Sequence, residues 1–331
     1  MRPKILYLTH ANGGLYGLIR AELPATLELV TLSTDEEPER LAALATADAV
    51  IVQQTKLTRS RINAATRLRF VHHQGVGYQD TIDLAALAER AVPLAITPGG
   101  TAGVAEHTVL LILAALKRLP FADAELRRGR FHTNALRPHT RDLQGKTVGL
   151  LGLGRIGKMV AERLRPFEVE LVYHDPAAAI SADEVARLGL QWVGFEQLLA
   201  ASDILSLHLP LLPTTHRIIG AAALRTMKRD AILVNTSRGG LIDEDALYDS
   251  LCAMHLSGAA LDVFDPEPPA ASHRLFRLPN VVLTPHVAGG TGDTFSAKMR
   301  AIFRNLDAYF AGRPVENLIE YGPATQLRTA S

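Results

Sequence analysis

Short apolar runs alternate with stretches of amphipathic helical spacing from one end of the chain to the other. An apolar run with no polar alternation marks a strand buried on both faces, and such strands belong to parallel sheets flanked by helices. In the first part of the chain these runs cover residues 5–8, 49–52, 70–73 and 93–96, with helical spacing over 38–45 and 82–89. A second series covers 147–151, 171–174, 204–207, 232–235, 259–262 and 281–284, with helices over 157–165, 182–188, 195–200, 222–227 and 243–251. The pattern predicts an α/β protein, and the six strands of the second series match a doubly wound sheet. Between the two series the spacing predicts a long helix over 104–119 ended by Pro120, then a polar loop or arm over 127–141. Helical spacing returns over 294–310, and no strong pattern follows Pro314. There is no internal repeat and no low-complexity tract.

A chain of 331 residues has room for two domains of the usual size, roughly 100–200 residues each. With 47% hydrophobic and 21% charged residues it reads as globular rather than disordered. The formal charge of +1 offers no footprint for nucleic acid or an anionic membrane. The single cysteine, Cys252, cannot form an intramolecular disulfide and sits in helical spacing, which fits a reducing, cytoplasmic setting. Residues 1–8 read as a first strand rather than a signal peptide, and the longest apolar run, 109–116, is too short to span a bilayer. A soluble protein is expected. The histidines do not form a cluster of zinc-ligand spacing, so no metal site is expected.

The second series opens with G-x-G-x-x-G as Gly152, Gly154 and Gly157, after an apolar strand and before a helix. In that context the first glycine allows a tight turn, the second a close approach to a pyrophosphate, and the third close helix–strand packing. The helix N-terminus offers unpaired N–H groups to phosphate charge. Asp175 follows at the end of the next strand, 21 residues after Gly154, where a carboxylate can bond the 2′-hydroxyl of NAD ribose. A 2′-phosphate there would meet that carboxylate with a repulsion of roughly 1–4 kcal/mol at about 4 Å. No arginine follows in residues 176–179, so NAD is expected in preference to NADP.

Three further segments close successive strands, over 234–240, 258–269 and 283–290. Ligands of open α/β sheets bind beyond the carboxyl ends of the strands, so all three point to one crevice. Arg238 can supply a planar, bidentate cation for a carboxylate and a polarised carbonyl. His286 can donate a proton to a developing alkoxide near neutral pH, and Glu267 can favour its imidazolium form. Each side chain alone reads equally well as an ordinary surface or corner residue. Their coincidence on successive strand ends points to hydride transfer to a 2-oxo acid.

At these residues the chain resembles the D-2-hydroxyacid dehydrogenases, the group of phosphoglycerate dehydrogenase, glyoxylate/hydroxypyruvate reductase and D-lactate dehydrogenase. The likeness covers about residues 45–320 and is strongest over 143–157, 206–215 and the three strand-end segments. The resemblance implies two Rossmann-like, doubly wound domains. A discontinuous, flavodoxin-like substrate domain (1–100 and 290–331) would be interrupted by an NAD-binding domain (101–289). It also implies that Arg238 binds substrate, His286 is the acid/base and Glu267 its partner. Arg155 and Ile156 would lie on the pyrophosphate, and His208, Pro210 and Thr215 on the adenosine side. Thr236, Ser237 and Gly289 would flank the nicotinamide, and Asp262 would hold its amide. Thr108 would contact a cofactor phosphate. Gly75, Val76 and Gly77 are similar to the loop whose backbone N–H groups grip the substrate carboxylate. The helix around Ala105–Thr108 and the arm after it imply a homodimer.

Some features depart from the family pattern. The stretch 75–83 is one residue longer than the commonest spacing. Phosphoglycerate-specific members carry an arginine where this chain has Val52, Gln53 and Gln54, which argues for an unphosphorylated substrate. No regulatory domain is expected after the last helix. Formate dehydrogenases place Gln where this chain has Glu267, which argues against formate. Two other classes compete with an enzyme reducing a glyoxylate- or hydroxypyruvate-like acid. Corepressors similar to C-terminal binding protein share the fold and triad and sense NAD(H), but carry longer tails. A Rossmann-type methyltransferase would account for the glycines and not for Arg238, Glu267 and His286 together.

Overall fold

The computed structural model describes residues 2–178 and 180–321, so residues 322–331 of the expected substrate domain lie outside it. The described residues form two compact units, one from 2–100 with 291–321 and the other from within 101–290.

The first unit contains β1 (Lys4–Tyr7), β2 (Glu28–Val30), β3 (Ala49–Val52), β4 (Phe70–His73) and β5 (Leu94–Ile96). They form one parallel sheet in the order β2-β1-β3-β4-β5, a doubly wound arrangement. The helix Gly292–Phe310 returns to this unit and lays Met299, Ile302, Phe303 and Leu306 against Ile5, Tyr7 and Phe70. Those positions recur every three or four residues along one helix face. Burial of each such side chain contributes about 1.5–3 kcal/mol, which is what brings the distant C-terminal segment back to the N-terminal sheet.

The second unit contains β6 (Thr147–Leu151), β7 (Glu170–His174), β8 (Leu190–Trp192), β9 (Ile204–Leu207), β10 (Ile232–Asn235), β11 (Gly258–Leu261) and β12 (Val281–Leu283). The order is β12-β11-β10-β9-β6-β7-β8, all parallel. The chain reverses direction across the sheet between β6 and β9, and the carboxyl ends of the strands there are the natural place for a ligand.

The sheets hold two strands that hydrophobic patterning misses, β2 and β8. Each has three residues and lies at a sheet edge; β2 is half-buried throughout, and β8 buries Leu190 but exposes Gln191 and Trp192. Neither therefore shows the unbroken burial of the interior strands β3, β4, β9, β10 and β11. The helix Gly13–Ala21 is also missed, because Gly13, Gly14 and Gly17 lower its propensity. Asn12 caps it by accepting the Leu15 N–H.

The expected helix over 104–119 needs correction. It runs over Thr101–Leu116, and Arg118 in the left-handed region breaks it. Pro120 does not stop a helix but stands in the first turn of the next, Leu119–Arg127, where the missing N–H costs nothing. The polar arm that follows contains short helical turns, Thr133–Leu136 and Arg137–His139. No helix among the described residues is long and apolar enough to cross a membrane.

Candidate active site

The glycine fingerprint occupies the turn from β6 into the helix Arg155–Leu164. Gly152 has φ of 97°, and a Cβ there would stand 2.7 Å from the carbonyl oxygen of His208. At Gly157 a Cβ would lie 2.5 Å from the Gly152 carbonyl oxygen, whereas at Gly154 it would meet no protein atom within 4 Å. The outer glycines are thus demanded by packing, and the middle one borders open space at the helix N-terminus. A diphosphate fits that cradle, since nothing but hydrogen separates the Gly154 backbone from it. Arg155 is exposed and Ile156 half-buried beside it.

Asp175, just beyond β7, secures this turn. One carboxylate oxygen accepts the Leu153 N–H at 2.8 Å and the other the Ala177 N–H at 2.9 Å. His208, just beyond β9, bonds the Ser206 hydroxyl through Nε2 at 3.0 Å, and burial pushes its imidazole down to about 4. It is therefore neutral at physiological pH. Thr215 closes the neighbouring loop, donating to the Pro210 carbonyl at 2.7 Å and accepting the Leu212 N–H at 2.8 Å. Thr108, fully buried on the helix Thr101–Leu116, meets Thr236 hydroxyl to hydroxyl at 2.9 Å at the end of β10.

Arg238 is presented by a turn built on Asn235, the last residue of β10. The Asn235 side chain is fully buried, so both its amide groups need partners. Its oxygen accepts the Ser237 N–H at 3.0 Å and its nitrogen donates to the Arg238 carbonyl at 2.8 Å. The Ser237 hydroxyl bonds the Leu207 carbonyl at 2.7 Å. Gly239 then passes so close to the next strand end that a Cβ would lie 2.0 Å from the Phe264 carbonyl carbon. Sequence reasoning missed Asn235 and Gly239 as site builders. An amide residue ending an apolar strand was the available signal for the first.

His286, beyond β12, is held at φ of 53°, a left-handed conformation that a residue with a Cβ rarely adopts. Asp262 at the end of β11 supplies the restraint. Its backbone carbonyl accepts the His286 N–H at 2.7 Å. Its fully buried carboxylate accepts the Thr284 hydroxyl at 2.6 Å and the Val287 and Ala288 N–H groups at 2.9 Å each. His107 reaches Thr284 from the helix side at 3.0 Å. Gly289 follows directly, half-buried.

The His286 Nδ1 lies 2.7 Å from Glu267 Oε2, with about a third of each side chain exposed (31% and 29%). The other oxygen of Glu267 accepts the Phe264 N–H at 3.0 Å. Burial works to raise the Glu267 pKa, but the bonds from His286 and Phe264 and the nearby charge of Arg238 outweigh it and lower it. An ionised carboxylate can only accept, so the proton of this bond sits on His286 Nδ1. That leaves Nε2 as the ring nitrogen not engaged by Glu267. Arg238, Glu267 and His286 thus meet at the carboxyl ends of three adjacent strands, with the glycine turn on the same edge of the sheet. Val76 and Gly77 lie in the first unit, after β4, where His73 Nδ1 accepts the Gly75 N–H at 3.0 Å.

Residues 109–288 match the family model described as D-isomer specific 2-hydroxyacid dehydrogenase, NAD binding domain. The chain is 36% identical over 274 residues to a D-3-phosphoglycerate dehydrogenase of Archaeoglobus fulgidus, covering 82% of this chain and 51% of that protein. It therefore spans about half the length of that relative. It is 40% identical over 260 residues to a glyoxylate reductase of Korarchaeum cryptofilum, covering 77% of each. The NAD-dependent formate dehydrogenase of Staphylococcus aureus, solved with NAD, is similar in structure with a TM-score of 0.83 and 29% identity, over 97% of this chain and 99% of that one.

Proposed function

We propose, from the premise that this chain belongs to the D-isomer specific 2-hydroxyacid dehydrogenase family, that it reduces a small unphosphorylated 2-oxo acid to the D-2-hydroxy acid with NADH. The observation that carries the reading is the 2.7 Å bond between His286 Nδ1 and Glu267, beside Arg238 and on the same sheet edge as the glycine turn.

NADH, when bound, would supply the hydride for the reduction. The cradle of Gly152, Gly154 and Gly157, with Arg155 and Ile156, would hold its pyrophosphate, and Asp175 would favour the ribose of NAD over that of NADP. The Arg238 guanidinium pairs with the substrate carboxylate and draws electron density from the carbonyl, a charge-assisted contact suited to a planar fork. As negative charge develops on the carbonyl oxygen, His286 donates the Nε2 proton to it. Glu267 keeps the imidazole oriented through Nδ1 and stabilises its protonated form before transfer. Asp262 holds the backbone that presents His286. In the oxidative direction His286 takes the same proton back.

Leu110, Leu119, Leu126 and Phe131 are exposed on the helix Thr101–Leu116, the helix Leu119–Arg127 and the arm after it. This apolar surface supports a homodimer through that face, which sedimentation of the purified protein checks directly.

The functional test is oxidation of NADH and NADPH against glyoxylate, hydroxypyruvate, pyruvate, phenylpyruvate, 2-oxoglutarate and phosphohydroxypyruvate. Fastest turnover of glyoxylate or hydroxypyruvate with NADH is expected. Preference for phosphohydroxypyruvate would overturn the unphosphorylated class. NADH binding with no turnover would favour a nucleotide-sensing protein instead.

A further inference from the structure

A second glutamate–histidine pair lies beside the loop that carries Glu267. His273 Nε2 is 2.8 Å from Glu244 Oε2, and the two side chains are only 19% and 14% exposed. The Nδ1 of His273 is buried with no partner among the described residues. A carboxylate oxygen accepts, so His273 donates an Nε2 proton to Glu244. Burial raises the pKa of Glu244, and the His273 bond pulls part of that rise back. Arg217, Asp243, Asp245, Asp265 and Arg274 line a cleft against the pair, with Arg274 held to Asp245 at 2.9 Å.

The second oxygen of Glu244 accepts the N–H of Asp265 at 3.2 Å. The adjoining N–H, that of Phe264, goes to Glu267. Two consecutive amides are therefore held by two glutamates, and the remaining oxygen of each glutamate is taken by a histidine. Pro266 and Pro268 contribute no N–H to the loop, which leaves few backbone donors to fix it. The Phe264 ring packs edge-on against His273, with centroids 6.0 Å apart. Glu244 stands at the start of the helix Glu244–Cys252, a rigid base for this contact.

We propose that Glu244 and His273 are positioning residues for the Glu267–His286 couple: they hold the Phe264–Asp265 peptide in place, and with it the carboxylate that orients the His286 imidazole. The proposal rests on the reading of His286 as proton donor. Loss of the pair leaves cofactor and substrate contacts in place and loosens the geometry of proton transfer, so it acts on kcat rather than on KM.

The test compares His273→Leu, His273→Gln and Glu244→Gln with the wild-type protein in kcat, KM, NADH affinity and the NMR signal of the His286 Nδ1 proton, assigned by its loss in His286→Gln. His273→Leu and Glu244→Gln are expected to lower kcat by about tenfold, with KM and NADH affinity within about twofold, and to broaden or erase the Nδ1 proton signal. His273→Gln, which restores a donor to Glu244, is expected to recover most of both. Wild-type kcat with an intact signal in His273→Leu would overturn the proposal. So would a kcat loss with an unchanged signal. Should His273→Leu fail to fold, Glu244→Gln is judged by the same two outcomes. A wild-type protein silent on every 2-oxo acid would count against the functional reading alone, because the proton signal still decides whether the pair orders His286.

Discussion

Gly239 packs directly on the peptide that follows Phe264: a Cβ on Gly239 would lie 2.0 Å from the Phe264 carbonyl carbon, 2.2 Å from its oxygen and 2.6 Å from the Asp265 nitrogen. All three are backbone atoms and cannot swing aside. The contact joins the turn that presents Arg238 to the loop that presents Glu267. Gly239→Ala is therefore expected to push the two apart by an ångström or more and to lower kcat/KM by about a hundredfold or more, with a lower melting temperature. Gly194→Ala serves as the control, because a Cβ there meets nothing within 4 Å. Wild-type kinetics and melting in Gly239→Ala would show that the two loops are not rigidly coupled.

The roles of His286 and Glu267 separate in kinetics. His286→Gln is expected to lower kcat by about 100- to 10,000-fold while NADH still binds, since an amide cannot supply the proton. A variant that loses NADH affinity instead would assign His286 to the cofactor. Glu267 has a lowered pKa, so its ionised form persists below the ordinary carboxylate range and is lost only as pH falls through that depressed value. Glu267→Gln keeps an acceptor for His286 Nδ1 without the charge, and is expected to move the midpoint of the kcat/KM pH profile to lower pH. An unmoved profile would mean that Glu267 does not govern the histidine.

Asp175 carries two duties that one substitution can separate. Its carboxylate holds the backbone of Leu153 and of Ala177 and also places negative charge at the end of β7. Asp175→Asn removes the charge and keeps one acceptor oxygen for one of the two N–H groups, so the NAD/NADP ratio of kcat/KM is expected to fall by about tenfold with a smaller loss of stability than in Asp175→Ala. Asp175→Ala frees both N–H groups and is expected to weaken both cofactors. If Asp175→Asn leaves the ratio unchanged, the preference originates elsewhere.

His72 makes the first unit sensitive to acid. It is fully buried in β4, with Nδ1 against the His73 carbonyl at 3.2 Å and Nε2 against the Asn305 amide at 3.0 Å. Burial lowers its pKa from 6.5 to about 3. The unfolded chain takes up this proton first, so the stability is complete above about 6.5 and is lost as pH falls toward about 3. The loss amounts to about 1.4 kcal/mol per pH unit within that window. Denaturant midpoints at pH 7.5 and pH 5 are expected to differ by less in His72→Gln than in the wild type. Equal differences would clear His72 of the effect.

The main elements and the candidate reacting groups are legible in the sequence because each is a local property. A strand buried on both faces must be largely apolar; β3 and β11 are so throughout, and β9 and β10 carry one polar residue each, Ser206 and Asn235. A phosphate-binding turn must place glycines at set intervals, and Gly152, Gly154 and Gly157 do. Arg238, Glu267 and His286 declare themselves by standing just beyond three such strands. Tertiary structure decided what depends on partners far away along the chain. The edge strands β2 and β8 exist because a neighbour offers hydrogen bonds, not because their residues alternate in any revealing way. Pro120 begins a helix rather than ending one because Arg118 has already turned the chain. Gly239 is a glycine like any other until Phe264 arrives against it. Glu244 and His273, which are 29 positions apart, form a pair only when the helix start and the loop after β11 pack together. Hydrophobic spacing records which side of an element is buried, whereas the identity of the atom it meets is settled only when long-range packing closes the fold.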